Sequence, residues 1–366
     1  MLILRRIHII YFIFRYNFYV LKPILYAIIY FVQRRGIGML TLSKNSSKKV
    51  SMSILSKLWN LIDNYYYIPI GLYCLHRAIR IALHSKSSVD YKAYMFLLAF
   101  AALTAYSDLR KDVKWIPFLI LTVPFLIFVA YANIHGYAFW GKILNWQISK
   151  DIVVDLNPIF KQIPFNDGSL FRIYQPETLT WIMRMVYNNG FVIPLLLPLY
   201  RALVCKDFKK AIRYVLSGHL LQIFLISPFY LIFHLQEVWY VLGQPDGLAR
   251  HLSPQAAAGV TINCFPSMHT SIAFAMFLVV MREKNKLFKY VWGFFCLSVI
   301  FSTLYLEIHW VLDVVGGLIL GYVTVKLVDI ILDKGKSIIE RPLNSIYYKE
   351  KKTTSIVIKN YYLDSL

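Results

Sequence analysis

The stretch "CFPSMHTSIAFAMFLVV", Cys264 to Val280, sets a proline, a serine and a histidine directly before an apolar run of helix length. Polar and ionisable side chains are costly at a membrane boundary, so such residues indicate function. Similar apolar runs, many of them near the ~20 residues that a helix needs to cross a bilayer, recur along the 366-residue chain. The sequence therefore predicts an all-α, polytopic helical membrane protein.

The composition supports a membrane protein and argues against several other classes. The chain is 58% hydrophobic and 16% charged, whereas an average soluble domain is about a quarter charged. The net charge of +21 comes from basic residues clustered between apolar runs and in the tails, which sets orientation in a membrane and does not indicate a nucleic-acid partner. The four cysteines are scattered without a CxxC pair, so neither a disulfide framework nor a zinc site is expected.

The order of the apolar runs predicts three regions: hydrophobic anchor segments with a basic linker at 1–90, a transmembrane catalytic core at 91–333 and a basic cytoplasmic tail at 334–366. The N-terminal run lacks a small-residue cleavage site, so an uncleaved anchor or interfacial helix is expected there. The clearer spans are predicted at 92–108, 115–133, 178–202, 212–234, 266–281, 288–306 and 310–331.

Basic loops predict the orientation. Arg201–Arg213, Arg282–Lys289 and the tail after Lys334 are rich in Lys and Arg, which marks one face as cytoplasmic. The opposite face then receives the long segment Ile134–Glu177, which suits either interfacial helices forming a lid or plain loop packing. His269 and His309 fall at that same extracytoplasmic or lumenal end.

Three side chains form a candidate site. His309 and Asp313 are four residues apart, so the carboxylate can accept a hydrogen bond from one imidazole nitrogen and leave the other free to attack an electrophile. His269 opens the preceding helix, where an imidazole can donate a proton and free backbone N–H groups can bind phosphate. The alternatives are capped or interfacial histidines, a structural hydrogen bond or half of a metal site. No Cys, Glu or further His stands at ligand spacing, so no metal is expected.

The stretches "FPSMHTSIAFAM" and "YLEIHWVLDVVGGLILGY" resemble the type-2 phosphatidic-acid phosphatase superfamily, whose second and third motifs have the patterns PSxH and SRx5HxxxD. The resemblance implies a six-helix transmembrane core, here with additional N-terminal hydrophobic helices and with the motifs within 235–317. It implies His309 as the nucleophile that forms a phosphohistidine and Asp313 as the group that orients it. His269 would protonate the leaving group, and Ser267 would lie beside the phosphate.

The sequence departs from that pattern in two places. Ser302 is followed by Thr303 where the third motif has Arg, and the first motif, Lys-x6-Arg-Pro, is absent ahead of the second. One literal match, at 334–342, follows the third motif and is attributed to chance. Arg250 in "QPDGLARHLS" is expected to supply the phosphate-binding charge, with an interfacial arginine as the alternative. These features resemble the inositol-phosphorylceramide synthase-like branch, the inositolphosphotransferases.

The predicted function is an integral membrane lipid-phosphate phosphotransferase or phosphatase that needs no cofactor. Its substrate is a membrane lipid phosphate, and a polyol or lipid alcohol is the expected acceptor; the motifs do not choose between an alcohol and water. Two alternatives remain: a lipid phosphate or polyprenyl-pyrophosphate phosphatase, and a non-enzymatic transporter or scaffold with the same fold. The membrane would be the plasma membrane in a bacterium or archaeon and an endomembrane in a eukaryote.

Overall fold

The computed structural model describes residues 46–84, 88–148, 154–260, 262 and 264–332. The predicted anchor before residue 46 and the predicted tail at 334–366 lie outside the described residues. Contacts divide the chain into two units, Met1–Asn64 and Tyr65–Leu366. What is described of the first unit is helical, within α1 (Ser46–Tyr65).

The described part of the second unit is almost entirely helical. Its helices are α2 (Tyr67–His84), α3 (Val89–Leu103), α4 (Trp115–Ile148), α5 (Asn157–Gln162), α6 (Glu177–Asn189), α7 (Ile193–Val204), α8 (Phe208–Val215), α9 (Leu221–Ile232), α10 (Val238–Leu242), α11 (Pro254–Val260), α12 (Met268–Val280), α13 (Lys286–Tyr305) and α14 (Val311–Leu332). A π-helical turn, Leu216–Leu220, joins α8 to α9. Two short strands, β1 (Val154–Asp155) and β2 (Phe233–His234), pair in parallel.

The prediction of an integral membrane protein with several apolar helices is confirmed. Four stretches of the described chain are long and apolar enough to cross a bilayer: Trp115–Ala132, Phe208–Ile232, Lys286–Tyr305 and Val311–Leu332. The pair α6 and α7, bent by 61°, makes a fifth if it is one span. The apolar helix α12 has 13 residues, fewer than the ~20 that span a bilayer. The six-helix core stays a prediction.

Two element boundaries differ from the sequence-based ones. Helix α4 continues to Ile148, so the first part of the segment 134–177 is helical. The predicted span 178–202 is broken after Asn189, and α7 restarts with Pro194 in its first turn, where a missing N–H costs no helical bond. Helix α2 packs on α3 through Ala78, Ile81 and Met95. The contact-based boundary after Asn64 falls ahead of α2, and the division into regions 1–90, 91–333 and 334–366 stays a prediction.

Helix α12 lies at the centre of the largest apolar cluster. Nine of its residues are buried, and they pack with residues of α7, α8, α9 and α13. A helix that is apolar on all sides is typical of a protein interior or of a membrane span, and α12 has protein neighbours. The two ends of α12 consequently have fixed surroundings: the candidate site at its N-terminus and a charged cluster at its C-terminus.

The charged cluster joins the loops at the C-terminal end of α12. The Arg201 guanidinium donates to Asp108 at 2.7 Å and to Glu283 at 2.6 Å, and all three side chains are almost fully buried. Lys210 donates to Glu283 at 2.9 Å, and the Tyr214 hydroxyl donates to the same carboxylate at 2.5 Å. Buried ions are tolerated when they are paired and hydrogen-bonded in this way.

Asp108 is held ionised within this cluster. Burial alone would raise the pKa of its carboxyl. Hydrogen bonds from Arg201 and from the Lys284 backbone N–H, with the positive charges of Arg201 and Lys210, outweigh burial and hold that pKa well below its usual range. The cluster thus ties the end of α3 to α7, to α8 and to the loop between α12 and α13.

Candidate functional site

His309 and Asp313 form a hydrogen-bonded pair where α14 begins. His309 Nδ1 lies 2.8 Å from Asp313 Oδ2, and the Trp310 backbone N–H donates to the same oxygen at 3.1 Å. His309 is 5% exposed and Asp313 is fully buried. A carboxylate beside Nδ1 favours the tautomer with the proton on Nδ1, which leaves the lone pair on Nε2. His309 lies just before α14 rather than within it, yet the four-residue spacing still joins the two side chains.

His269 faces His309 from the first turn of α12. The centres of the two imidazole rings are 6.2 Å apart. Ser267 is the N-cap of α12, since its Oγ accepts from the Thr270 N–H at 3.3 Å. The Ser267 N–H donates to the Asp313 carbonyl oxygen at 3.1 Å. One backbone bond therefore connects the two sequence motifs and fixes the second histidine relative to the first pair.

Two glycines let α14 approach α12 closely. A Cβ on Gly317 would lie 2.6 Å from the Ser267 carbonyl oxygen, and one on Gly321 would lie 2.7 Å from that of Ser271. Small residues four apart are a common way for membrane helices to bring their backbones together. Gly317 and Gly321 thus allow the close approach that sets the separation of the two halves of the site.

Aromatic rings from the bent pair α6–α7 enclose His269. Tyr187 stacks on its imidazole with ring centres 4.3 Å apart, and Phe191 meets it edge-on at 5.2 Å. Sequence reasoning missed both residues. Their only sequence signal is a pair of aromatics flanking "NNG" in an apolar run, and that pattern becomes meaningful only when the bend brings it to α12.

The segment between β1 and α6 packs over the start of α14. The Asn166 backbone carbonyl accepts from the Val311 N–H at 2.8 Å, and its side-chain Oδ1 accepts from the Leu312 N–H at 2.9 Å. The Trp310 ring packs edge-on against Phe160. Asn166 therefore satisfies two free N–H groups at the N-terminus of α14. These bonds attach the segment between β1 and α6 to the start of α14, directly after His309.

Arg250, the expected phosphate ligand, is bonded to two carboxylates. Its Nε donates to Asp246 at 2.7 Å, its Nη1 donates to Glu237 at 3.2 Å, and its Nη2 donates to both carboxylates. Burial would lower the pKa of Arg250, but these two partners raise it overall. The guanidinium is thus present on the loop that enters the site, with its positive charge compensated.

Arg172 is compensated in the same way. It donates to Asp167 at 3.2 Å and to Glu307 at 3.3 Å. Glu307 has a positive φ of 59° and immediately precedes the turn that carries His309. Burial raises the pKa of the Glu307 carboxyl, and the charge of Arg172 opposes that rise.

Arg184 differs from these two arginines. It precedes Tyr187 by three residues, which places both on one face of α6. Its Nε donates to the Gly247 carbonyl oxygen at 2.7 Å, and it has no carboxylate partner within 4.0 Å among the described residues. Sequence reasoning missed Arg184, because the position of an arginine within an apolar run does not show which residues its side chain will contact.

The fold also brings a cysteine to the pair. One donor atom each from Cys264, His309 and Asp313 lie within 4.8 Å of one another, and all three residues are buried. Sequence spacing gave no third ligand beside the pair, because Cys264 is forty-odd residues away along the chain. The hydrogen-bonded turn ahead of α12 supplies it, with the Cys264 N–H donating to the Leu235 carbonyl oxygen at 3.0 Å.

Comparison with known proteins gives one positive result. The family model described as the PAP2 superfamily matches residues 216–334. The matched stretch runs from the π-turn to just beyond α14 and contains His269, His309 and Asp313. Searches of curated proteins and of solved structures gave no match. The matched part of the chain is therefore similar to a superfamily of phosphatases and phosphotransferases.

Proposed function

We propose that this protein is an integral membrane phosphotransferase that moves a phosphate-bearing headgroup from a lipid to an alcohol. The observation that carries the proposal is the 2.8 Å contact of His309 with Asp313, with the ring of His269 centred 6.2 Å from that of His309. Covalent phosphoryl transfer needs a nucleophile that a neighbouring group orients, here His309 with Asp313, and an acid on the other side of the substrate, here His269. The similarity to the PAP2 superfamily over residues 216–334 supports the same class of reaction.

In the first proposed step the Nε2 lone pair of His309 attacks phosphorus. A P–N bond forms as the bond from phosphorus to the leaving oxygen breaks, and His269 gives that oxygen its proton. Asp313 stabilises the positive charge that develops on the His309 imidazole. The stacked ring of Tyr187 keeps the His269 imidazole oriented towards the leaving group.

In the second proposed step the acceptor alcohol reverses these roles. His269, now neutral, takes the hydroxyl proton while the acceptor oxygen attacks phosphorus and the P–N bond breaks. Phosphate oxygens are to be held by the N–H groups of the first turn of α12, by Ser267 and by an arginine, since stabilising charge on these oxygens is the main demand of phosphoryl transfer.

The charges around the pair favour a phosphodiester as donor. Arg250 and Arg172 are each bonded to two carboxylates, whereas Arg184, three residues before Tyr187, has no carboxylate partner among the described residues. We take Arg184 as the phosphate-binding cation, and one uncompensated positive charge matches the single negative charge of a diester better than the double charge of a phosphomonoester. This supports a headgroup transferase of the inositol-phosphorylceramide synthase-like kind over a phosphatidic-acid phosphatase. We place the reaction at the extracytoplasmic or lumenal face.

The test uses the full chain purified in detergent and a panel of lipids labelled in their phosphate. The panel contains phosphatidylinositol and phosphatidic acid, each with and without a lipid alcohol acceptor. We expect transfer of the label from the diester to the alcohol without added metal, and an acid-labile phosphorylated protein on rapid quenching. Both signals should be lost in His309→Ala.

His251→Asn is the matched control. His251 is exposed on the loop after α10 with a positive φ of 50°, which asparagine tolerates, so this variant should keep full activity. Full activity of His309→Ala would refute the mechanism. Release of inorganic phosphate from phosphatidic acid in preference to transfer would assign the protein as a phosphatase instead.

A further inference from the structure

We propose that Cys264, His309 and Asp313 form a binding site for a thiophilic divalent cation such as Zn²⁺, and that its occupancy switches the enzyme off. The metal site stands on geometry alone, while the switching role rests on the proposed function. Nothing in the similarity to the PAP2 superfamily assigns a role to Cys264.

The donor set suits zinc. A cysteine sulfur, an imidazole nitrogen and a carboxylate oxygen are the three ligand types that Zn²⁺ takes in proteins, and a three-ligand site leaves a fourth position for water. The three donor atoms already lie within 4.8 Å of one another. Zinc–ligand bonds of about 2.0–2.3 Å require donors roughly 3.5 Å apart, so a movement of about an ångström completes the site.

Asp313 has an oxygen available for such an ion. Its Oδ2 accepts from His309 and from the Trp310 N–H, whereas its buried Oδ1 has no hydrogen-bond partner among the described residues. A buried carboxylate oxygen without a donor is costly. A bound cation would satisfy it, and this is the second observation, independent of the distances, that points to a ligand.

Metal binding would remove the nucleophile in either of two ways. An ion at His309 Nδ1 takes the lone pair there, so the ring proton moves to Nε2 and the nucleophilic lone pair is lost. An ion at Nε2 occupies that lone pair itself. In the first case the Nδ1 proton that bonds to Asp313 is also displaced, so the orienting hydrogen bond is lost as well.

The site should distinguish soft from hard cations. Zn²⁺ and Cd²⁺ bind a cysteine sulfur as the thiolate, so the thiol proton of Cys264 is released as the metal–sulfur bond forms. Mg²⁺ and Ca²⁺ prefer oxygen ligands and gain nothing from the thiolate, so they should not compete.

The binding test uses Cd²⁺, whose bond to a thiolate has a charge-transfer absorption in the ultraviolet. Titration of the full chain in detergent should show this absorption saturating at one Cd²⁺ per chain. Cys264→Ser and Cys264→Ala should abolish it. Cys296→Ser is the matched control, because Cys296 is equally buried but lies within the core cluster along α13; it should leave the absorption unchanged.

The switching test measures transfer activity against Zn²⁺ concentration. Inhibition of each variant is measured relative to its own activity without metal. Loss of one ligand should raise the half-inhibitory concentration by about tenfold or more, in both Cys264 variants and not in Cys296→Ser. Equal inhibition of the wild type and Cys264→Ser, or an absorption that survives in Cys264→Ala, would overturn the proposal. A Cys264-dependent absorption in a protein with no transfer activity would uphold the metal site and refute the proposed function.

Discussion

At the scale of single residues, the environment of His309 sets what the site can do. Its Nδ1 faces a carboxylate that is fully buried, and no other ionised group of the described chain is bonded to that carboxylate. The negative charge of Asp313 is therefore directed at one imidazole, where it would stabilise the cationic form in the proposed attack on phosphorus.

Asp313→Asn tests this charge directly. Asparagine has nearly the same shape, but it is neutral and can present its amide to Nδ1, which favours the wrong tautomer. We expect the turnover rate to fall by about 100-fold or more while the KM for the lipid donor changes little. Turnover at the wild-type rate would show that the carboxylate only holds the turn in place, and a thermal unfolding curve in detergent checks that the fold is retained.

Arg184 and Arg250 can be separated by paired substitutions. Arg184→Gln should raise the KM for the donor and weaken inhibition by orthovanadate by about tenfold, with Arg184→Lys recovering part of the loss, because its charge is not compensated by a carboxylate. Arg250→Gln should instead lower thermal stability, because it leaves Glu237 and Asp246 buried without a cation. If Arg250→Gln weakens vanadate binding and leaves stability unchanged, Arg250 binds the phosphate, as the sequence predicts, and the assignment of that role to Arg184 is wrong.

The catalytic trio could be proposed from the sequence because its signals are local. His309 and Asp313 are one helical turn apart, and "PSMH" marks the first turn of a helix by its proline and its capping serine. Tyr187, Arg184 and Cys264 could not be proposed, because each reaches the site through a bend or a turn that no short-range pattern describes. The pairing of Arg250 was missed for the same reason, since Glu237 lies thirteen residues earlier, across α10.

At the scale of elements, the contact between α12 and α14 sets the position of His269 relative to His309 and Asp313. Gly317→Ala would place a methyl group 2.6 Å from the Ser267 carbonyl oxygen, which forces the helices apart. We expect a loss of about 1–3 kcal/mol in stability and a larger fractional loss of activity, since Ser267 is bonded to Asp313.

Gly293→Ala is the control for this contact. Its Cβ would meet the Met281 sulfur at 3.4 Å, an ordinary contact, so thermal unfolding and activity should both match the wild type. Should Gly317→Ala also match the wild type in both measurements, close approach of the two helices is not what sets the distance between the histidines.

The helix lengths could be predicted only in part. Hydropathy located most of the long apolar helices because each is a continuous run. It could not locate the 61° break between α6 and α7. The residues at the break, Asn188, Asn189 and Gly190, are uncharged and lower the hydropathy of the run too little to mark an interruption. It did locate α12, predicted at 266–281 and observed at Met268–Val280, but it could not show that neighbouring helices bury that short helix.

At the scale of the whole molecule, the charged cluster and the histidine pair lie at opposite ends of α12. Asp108→Asn should destabilise the protein by about 3–5 kcal/mol, because it leaves Arg201 buried with one carboxylate fewer. Since the folded pKa of Asp108 is depressed, its stabilisation is fully present above the unfolded value of about 3.9 and is lost as the pH falls through the folded pKa.

The difference in stability between wild type and Asp108→Asn should therefore be constant at neutral pH and shrink below about pH 4. Unfolding curves in detergent at a series of pH values measure it. Asp112→Asn is the control: its ion pair with Arg110 is exposed, so the substitution should change stability little at any pH. If the stability difference between wild type and Asp108→Asn grew as the pH falls, the pKa of Asp108 would not be depressed in the folded protein.

The orientation can be tested with single introduced cysteines, since the four described cysteines are buried. Gln244 is exposed on the loop at the histidine end, and Lys284 is exposed between α12 and α13. With the chain expressed in a bacterial plasma membrane, a membrane-impermeant maleimide should label Gln244→Cys in intact cells and should label Lys284→Cys only after permeabilisation. The reverse pattern would place the site in the cytoplasm.

The shortness of α12 has a kinetic meaning. Thirteen residues extend about 20 Å, against a hydrocarbon layer about 30 Å thick, so α12 is too short to cross that layer, and with its C-terminal end at one surface its N-terminal end would lie below the other. A lipid would then meet His269 by diffusing sideways within its own leaflet. The encounter is two-dimensional, and the rate of the proposed reaction is governed by the mole fraction of donor lipid among its neighbours rather than by its amount per volume of solution.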